Sequence, residues 1–235
     1  MTETCSFRIY ILITLSSVET RGGETNPPSV GLTPDAIPEA KSSKTGVSVE
    51  YAPDPDKQWY VLRASYGRED KAADYMIDDG TYAYVAKRYA WKYVKGHRKR
   101  VEETLIPNLL FAYTTKEKAE TYVKQTPELT FLTYYYNHFV QNEQEKNPPL
   151  IVPEHEMKNF IRATMSMNEH IMFVKPQQVH YKGGEQVKVI DGVFQGVEGR
   201  VARVAGQQRV IVTLSKVGLI STAYIPTAFI EKKYK

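Results

Sequence analysis

After a short apolar run at Ile9 to Leu15, large apolar side chains become frequent again only from Gln58 onward. The stretch before it, residues 20–57, holds Pro27, Pro28, Pro34, Pro38, Pro53 and Pro55 among many Ser, Thr and Gly. Such a composition offers too little apolar surface to offset the entropy lost on ordering, so residues 1–57 are expected to form a disordered leader or linker. Trp59-Tyr60-Val61-Leu62-Arg63-Ala64 then predicts a strand and Ser65-Tyr66-Gly67 a turn. The charged run from Arg68 to Asp79 predicts a helix that Gly80 stops as a C′ glycine would. Tyr82 to Val85 reads as a second strand, and Lys87 to Glu103 as a long β-hairpin with Gly96 near its tip. Leu105 to Tyr113 reads as an apolar strand entered through Pro107, which places that proline at an edge or bulge. Thr115 to Gln125 gives a second helix closed by Pro127, and Phe131 to Val140 a last aromatic strand. Strand, helix, strand, strand, helix, strand over 58–140 predicts an α+β sandwich with helices beside an antiparallel sheet.

The pattern changes twice more. Gln141 to Leu150 is polar and ends in Pro148-Pro149, a linker that opens the segment 141–179. A helix is predicted from Pro153, a proline suited to a first turn. Its apolar residues Met157, Phe160, Ile161, Thr164 and Met165 follow i, i+3, i+4, i+7, i+8 spacing and form a face that must pack on something. Over 180–235, Val187 and Val189 alternate with polar residues, Gly192, Gly196 and Gly199 punctuate, and Val201, Val204, Val210-Val212-Leu214 and Ile220 to Ile225 resume the alternation. Short strands at close spacing predict a small β-barrel.

Composition alters this picture only where charge is located. The 235 residues are 42% hydrophobic and 25% charged, an ordinary globular balance with length enough for one large domain or two small ones. The net charge of +4 resolves into −3 over 1–57 (5 basic, 8 acidic), +2 over 58–179 (17, 15) and +5 over 180–235 (9, 4). The single cysteine, Cys5, excludes a disulfide framework within the chain and a cysteine-based zinc cluster, and fits a reducing, cytoplasmic setting. No stretch approaches the roughly 18 apolar residues of a membrane-spanning helix. The short apolar run Ile9 to Leu15 behind Arg8 follows Glu3 and precedes no clean small-x-small site, so it is read as leader rather than secretory signal.

Motifs for catalysis are missing. His155-Glu156 begins like a zincin helix, but Asn159 stands where a second histidine ligand belongs. Gly192, Gly196 and Gly199 follow a strand with no helix predicted after them, which fails both the dinucleotide and the P-loop pattern. His97, His138, His155, His170 and His180 show no ligand spacing, and Cys5 has no organised base nearby in sequence. The expectation is a protein that is not an enzyme, with no cofactor and no metal.

Two segments suggest binding. From Tyr82 to Val101 the chain carries Lys87, Arg88, Lys92, Lys95, Arg98, Lys99 and Arg100 with no acidic residue, interleaved with Tyr84, Tyr89, Trp91 and Tyr93. Basic side chains neutralise phosphate and aromatic faces stack on unpaired bases, so the hairpin is either a nucleic-acid site or a solvated arm. The run Leu105-Ile106-Pro107-Asn108-Leu109-Leu110-Phe111 is apolar on both faces of its strand. Either the face with Leu109 and Phe111 is an exposed patch for a partner, or the strand is central and covered on both sides.

Trp59-Tyr60-Val61 leading into the Glu69-containing helix, followed by the Pro107-Asn108-Leu109-Leu110-Phe111 strand, resembles the N-terminal domain of NusG-type transcription elongation factors. Gly184-Glu185-Gln186-Val187-Lys188-Val189 through Gly192, Gly196 and Gly199-Arg200-Val201 resembles the KOW motif of the SH3-like barrel those factors carry. The wording Arg63-Ala64-Ser65-Tyr66-Gly67-Arg68-Glu69-Asp70-Lys71-Ala72 is similar to the UpxY antiterminators of Bacteroides-type capsule operons. The resemblance implies a NusG-like α/β sandwich over 58–140, a KOW barrel over 180–235, and a monomer that suppresses pausing or termination by bridging the RNA polymerase cleft. It implies a polymerase clamp contact through Leu109, Phe111 and Tyr135, with Leu109 standing where the family usually has an aromatic. Non-template DNA or nascent RNA would meet Arg68 and Lys71 on the first helix and Lys95, Arg98, Lys99 and Arg100 on the hairpin. The barrel would recruit Rho, a ribosomal protein or nucleic acid. A rival reading, a ribosome-associated KOW protein that binds RNA, leaves the 58–140 domain without a role.

Overall fold

A computed structural model describes residues 37–138, 141 and 146–233. Cys5, the apolar run at 9–15 and the expected end of the aromatic strand at 139–140 lie outside the described residues. In chain order the elements are β1 (Ala40–Lys41), β2 (Ser48–Val49), β3 (Gln58–Ala64), α1 (Glu69–Asp78), β4 (Tyr82–Tyr84), β5 (Lys87–Val94), β6 (His97–Thr104), β7 (Leu109–Thr114), α2 (Lys116–Lys124), β8 (Leu132–Tyr134), β9 (Ile151–Val152) and α3 (Glu154–Thr164). The chain continues with β10 (Met172–Val174), β11 (His180–Val189), β12 (Glu198–Val204), β13 (Gln207–Leu214), β14 (Gly218–Tyr224) and β15 (Ile230–Lys232). Mixed helix and antiparallel sheet is the predicted fold class.

The N-terminal sheet has the order β4-β7-β3-β8, with β9 also paired to β3, so β3 and β7 are central. Local chemistry sets its boundaries. Gly80, at φ 72°, ends α1 with Gly80 N donating to Ile77 O and Thr81 N to Met76 O, the paired bonds of a Schellman motif. Thr115 caps α2, its hydroxyl accepting from Lys118 N at 3.3 Å. Pro107 lies ahead of β7 rather than inside it. With Asn108 at φ 63° it forms a turn in which Asn108 O accepts from Ala64 N and Asn108 Oδ1 from Gly67 N.

Each face of the sheet is covered. Val61, Phe111 and Tyr84 share one row, and α3 lies on it: the Phe160 ring is 5.3 Å from Phe111 and 6.1 Å from Tyr84, and Thr164 shares a 2.7 Å hydrogen bond with the Tyr84 hydroxyl. Alternate residues such as Leu62 and Leu110 point the other way, towards the side of α1 and α2. Those two helices lie side by side, with Tyr75 against Tyr122 and Lys118 paired to Asp79 at 3.0 Å.

Residues 37–57 depart from the disorder expected of them. β1 and β2 form a small hairpin against α1, with Ser43 Oγ donating to Asp74 at 2.6 Å and Thr45 bonded to Asp78. Tyr51 then stacks 5.8 Å from Trp59 and 4.9 Å from Tyr113, and its hydroxyl donates to Glu154 of α3. One aromatic side chain, flanked by prolines, supplies the apolar surface that a composition average over the segment misses. The polar stretch before α3 is likewise part of the sheet at its end: Val61 N donates to Leu150 O, and β9 pairs with Trp59 and Tyr60.

The C-terminal six-stranded sheet runs β10-β14-β13-β12-β11-β15. Gly199 is required on β12, because a Cβ there would sit 2.3 Å from Ile211 O on the next strand. Gly192 and Gly196 adopt φ 81° and 83° in the β11–β12 connection. This sheet joins the first through α3, whose polar side bonds it at three points. Glu156 accepts from Ser215 N and Oγ, Asn159 exchanges two bonds with the Glu198 backbone, and Arg162 reaches Gly196 O. Most buried residues of the two sheets form one cluster, while Val174, Val179, Ala202, Val204 and Ile211 form a second at the C-terminal sheet.

Candidate nucleic-acid interface

Among the described residues the hairpin β5–β6 pairs with no other strand. Its register runs from Lys87 opposite Thr104 to Val94 opposite His97, and the turn residues Lys95 and Gly96 have φ 51° and 79°, the double positive φ of a type I′ turn. The base is fixed by Leu105 N to Ala86 O, by Tyr89 N to Met167 O and by Arg88 Nη1 to Ile171 O. Everything from Trp91 to Arg100 is exposed, so the ribbon is an arm.

Its seven basic residues fall into two groups. Near the base, Lys87 pairs with Asp70 at 3.1 Å and Glu102 at 2.6 Å, Arg88 with Glu103 at 2.7 Å, and Lys92 with Glu103 at 2.8 Å. The hydrogen bond from Lys92 and the neighbouring Arg88 hold the Glu103 carboxyl below its ordinary range. Towards the tip, Lys95, Arg98, Lys99 and Arg100 make no ion pair among the described residues. The four tip positions singled out from the sequence are therefore the uncompensated ones.

The arm has unlike faces. Tyr89, Trp91 and Tyr93 alternate along β5, with Glu102, Arg100 and Arg98 opposite them. Each arginine leans one row towards the base: Arg100 lies 3.9 Å over the Tyr89 ring and Arg98 4.7 Å over Trp91. Tyr93, 80% exposed, carries no cation over its ring.

Half-buried Arg68 and exposed Lys71 form a second basic cluster at the start of α1. The Arg68 guanidinium lies 4.0 Å over Phe131 and 5.4 Å from the Tyr66 ring, its Nε donates to Ser65 O, and Lys71 stands 5.4 Å from Phe131. Tyr66 is 90% exposed at φ 63°, a left-handed conformation unusual for a bulky residue. Nothing in the sequence pattern marked it beyond its place in a turn.

The apolar patch expected on β7 is corrected. All six β7 residues are buried, with Leu109 7% and Phe111 0% exposed. The central-strand alternative holds because α3, whose apolar face had no assigned destination in the sequence, covers Phe111. Tyr135 is half-buried beside this strand system, its N–H donating to Val61 O. Among the described residues no group of His, Cys, Asp and Glu could hold a metal, and no helix is long and apolar enough to cross a membrane.

Residues 57–161, which include the arm, the Arg68 and Lys71 cluster and α3 up to Ile161, match the family described as transcription termination factor NusG. Over that segment the chain is similar to a NusG family domain. Transcription termination/antitermination proteins NusG of Streptococcus pyogenes serotypes M1, M3 and M18 are 26% identical to the chain over 159 residues, covering 63% of this chain and 82% of theirs. The similarity thus extends the NusG relationship beyond the domain itself, while the aromatic and basic details of the arm are read from this chain alone.

Proposed function

We propose that this chain is a transcription antitermination and elongation factor that binds RNA polymerase through its NusG-like domain and suppresses pausing or termination. The observation that carries the reading is the family match over 57–161, on a fold that continues into a second, β-rich unit. Binding one conformation of the polymerase more tightly than its paused state shifts the population without any catalytic group. The uncompensated cations at the arm tip neutralise phosphate of the non-template DNA or the nascent RNA, and Arg68 and Lys71 add a second contact. A clamp contact using Leu109 and Phe111 would first have to displace α3, whereas Tyr135 is reachable as it stands. The likeness of Arg63–Ala72 to the UpxY antiterminators supports action on a capsular or exopolysaccharide operon. The C-terminal unit is the place for a second partner such as Rho or a ribosomal protein.

The test is read-through of defined pauses and terminators by purified RNA polymerase, with and without the protein. Increased read-through is expected, and comigration with polymerase rather than with ribosomal subunits on a gradient. Replacing Lys95, Arg98, Lys99 and Arg100 with Gln should lower the log–log salt slope of nucleic-acid binding by about 3. Cosedimentation with ribosomes and no effect on transcription would replace this reading with that of a ribosome-associated RNA-binding protein.

A further inference from the structure

We propose that the Tyr89–Trp91–Tyr93 face of the arm is a stacking surface for an unpaired nucleic-acid strand; this rests on the reading of the arm as a nucleic-acid site and specifies what that site takes. Alternate residues along a strand are about 6.8 Å apart, twice the roughly 3.4 Å rise of one nucleotide. Planar guanidinium groups lie over two rings of this face, Arg100 over Tyr89 and Arg98 over Trp91. The ribbon therefore presents rings and guanidinium groups together along one face, and it ends at Tyr93, whose ring is 80% exposed. Unpaired bases offer faces to such planes. A duplex keeps its base faces stacked inside and shows only edges in its grooves, so the rings would have nothing to match. Both arginines are also committed to ring stacking rather than held as forks aimed at base edges.

Charge fits the same occupant. Lys95, Arg98, Lys99 and Arg100 stand without carboxylate partners among the described residues, while the only acidic residues of the arm, Glu102 and Glu103, lie at its base. The phosphates of a strand lying along the face would run beside the tip cations. Lysine and arginine only donate hydrogen bonds, and the phosphates common to DNA and RNA accept them from any direction, so the tip cations do not require a 2′-hydroxyl. The face should accept unpaired DNA and RNA alike.

The experiment uses the full chain and three fluorescein-labelled probes: a 12-nucleotide oligodeoxythymidylate, the matching oligouridylate and a 12-base-pair duplex. The two single strands should bind within a few-fold of one another and more tightly than the duplex. Tyr93→Ala removes a ring that supports no guanidinium, and should weaken single-strand binding roughly tenfold with the salt slope and duplex binding unchanged, while Tyr93→Phe keeps the affinity. Single strands should quench tryptophan emission in the native chain but not in Trp91→Ala, because the other tryptophan, Trp59, is 1% exposed. Equal affinity for duplex and single strand, or unaltered single-strand binding by Tyr93→Ala, overturns the stacking assignment. Salt-dependent binding that persists in those cases and is lost on replacing the four tip cations with Gln leaves the underlying arm reading in place. No salt-dependent binding of any probe defeats both.

Discussion

Lys87–Thr104 and Leu109–Thr114 are near neighbours in the chain, and both are antiparallel strand. The first leaves the body of the protein and fully buries none of its side chains, and the second is buried at all six positions. Both looked like binding surfaces in the sequence, one through cations and aromatics, the other through apolar residues on both faces of a strand. The structure separates them by what lies opposite. β7 sits between β4 and β3 and beneath α3, so its second apolar face has a covering element 40 to 50 residues away in sequence. The arm has no covering element among the described residues, and two of its aromatic rings, Tyr89 and Trp91, are partnered by its own arginines. An apolar strand reports that a cover exists somewhere; a basic aromatic ribbon reports that none is needed.

Phe111 offers the largest test of that contrast. Phe111→Asp places a carboxylate at a site that is 0% exposed and lined by the Phe160 ring. Loss of the ring alone costs about 3–5 kcal/mol, out of a net stability of about 5–15 kcal/mol, and the unpaired charge adds to it. The cooperative thermal transition should be lost, or its midpoint should fall sharply. A variant that melts like the native protein yet no longer binds polymerase would instead make this face a partner surface from which α3 moves away. The same kind of substitution on the arm, Tyr93→Asp, should leave melting unchanged.

Much of the fold was legible in the sequence because short-range chemistry decides it. Gly80 stops α1, Thr115 caps α2, and the Lys95-Gly96 turn places the hairpin tip where glycine was read. Long-range pairing was not legible. The spacing of Met157, Phe160 and Ile161 announced a buried face but not its partner, and Phe111 announced a surface in need of a cover but not which element supplies it. The site followed the same division. The basic tip could be read as a charge run, yet only the register shows that Glu102 and Glu103 compensate the base of the arm and leave the tip uncompensated. Tyr66 and Tyr51 were missed because single aromatic residues in turn-rich surroundings carry no periodicity.

Tyr51 gives the second test, intermediate in size. It belongs to a segment whose composition resembles an exposed linker, but its surroundings resemble those of β7: rings of Trp59, Tyr82 and Tyr113 on three sides, the Lys158 ammonium 5.3 Å from its own ring, and a 2.6 Å hydrogen bond to Glu154. Tyr51→Ala should lower stability by about 2 kcal/mol, read as a reduced urea midpoint, with the emission of Trp59 shifted because its stacked neighbour is gone. Tyr51→Phe, which keeps the rings and loses only the hydroxyl, should cost less than half as much. An unchanged midpoint for Tyr51→Ala would place the segment with the arm, as surface that the core does not need.

The smallest effect belongs to the arm's own base, where Glu103 decides how far the uncompensated region extends. Lys92 and Arg88 stabilise its ionised form, so its folded-state pKa lies below the ordinary glutamate value. A carboxyl depressed in this way contributes stability that is fully present above its unfolded pKa and is lost as the pH falls through the lower folded value. Amide-exchange protection in β5 and β6 should therefore persist below the pH at which a free glutamate protonates, and then decline. Because the pair is exposed to solvent, the contribution should stay below about 1 kcal/mol. Glu103→Gln should abolish that acid-dependent step and release Lys92 and Arg88 at every pH, adding one positive charge to the arm. Binding of an unpaired strand should then tighten slightly and become more salt-dependent. If Glu103→Gln instead weakens binding while the exchange rates at the arm base rise, the ion pairs matter chiefly as the hinge that aims the arm, and the division between a compensated base and an uncompensated tip is one of rigidity rather than charge.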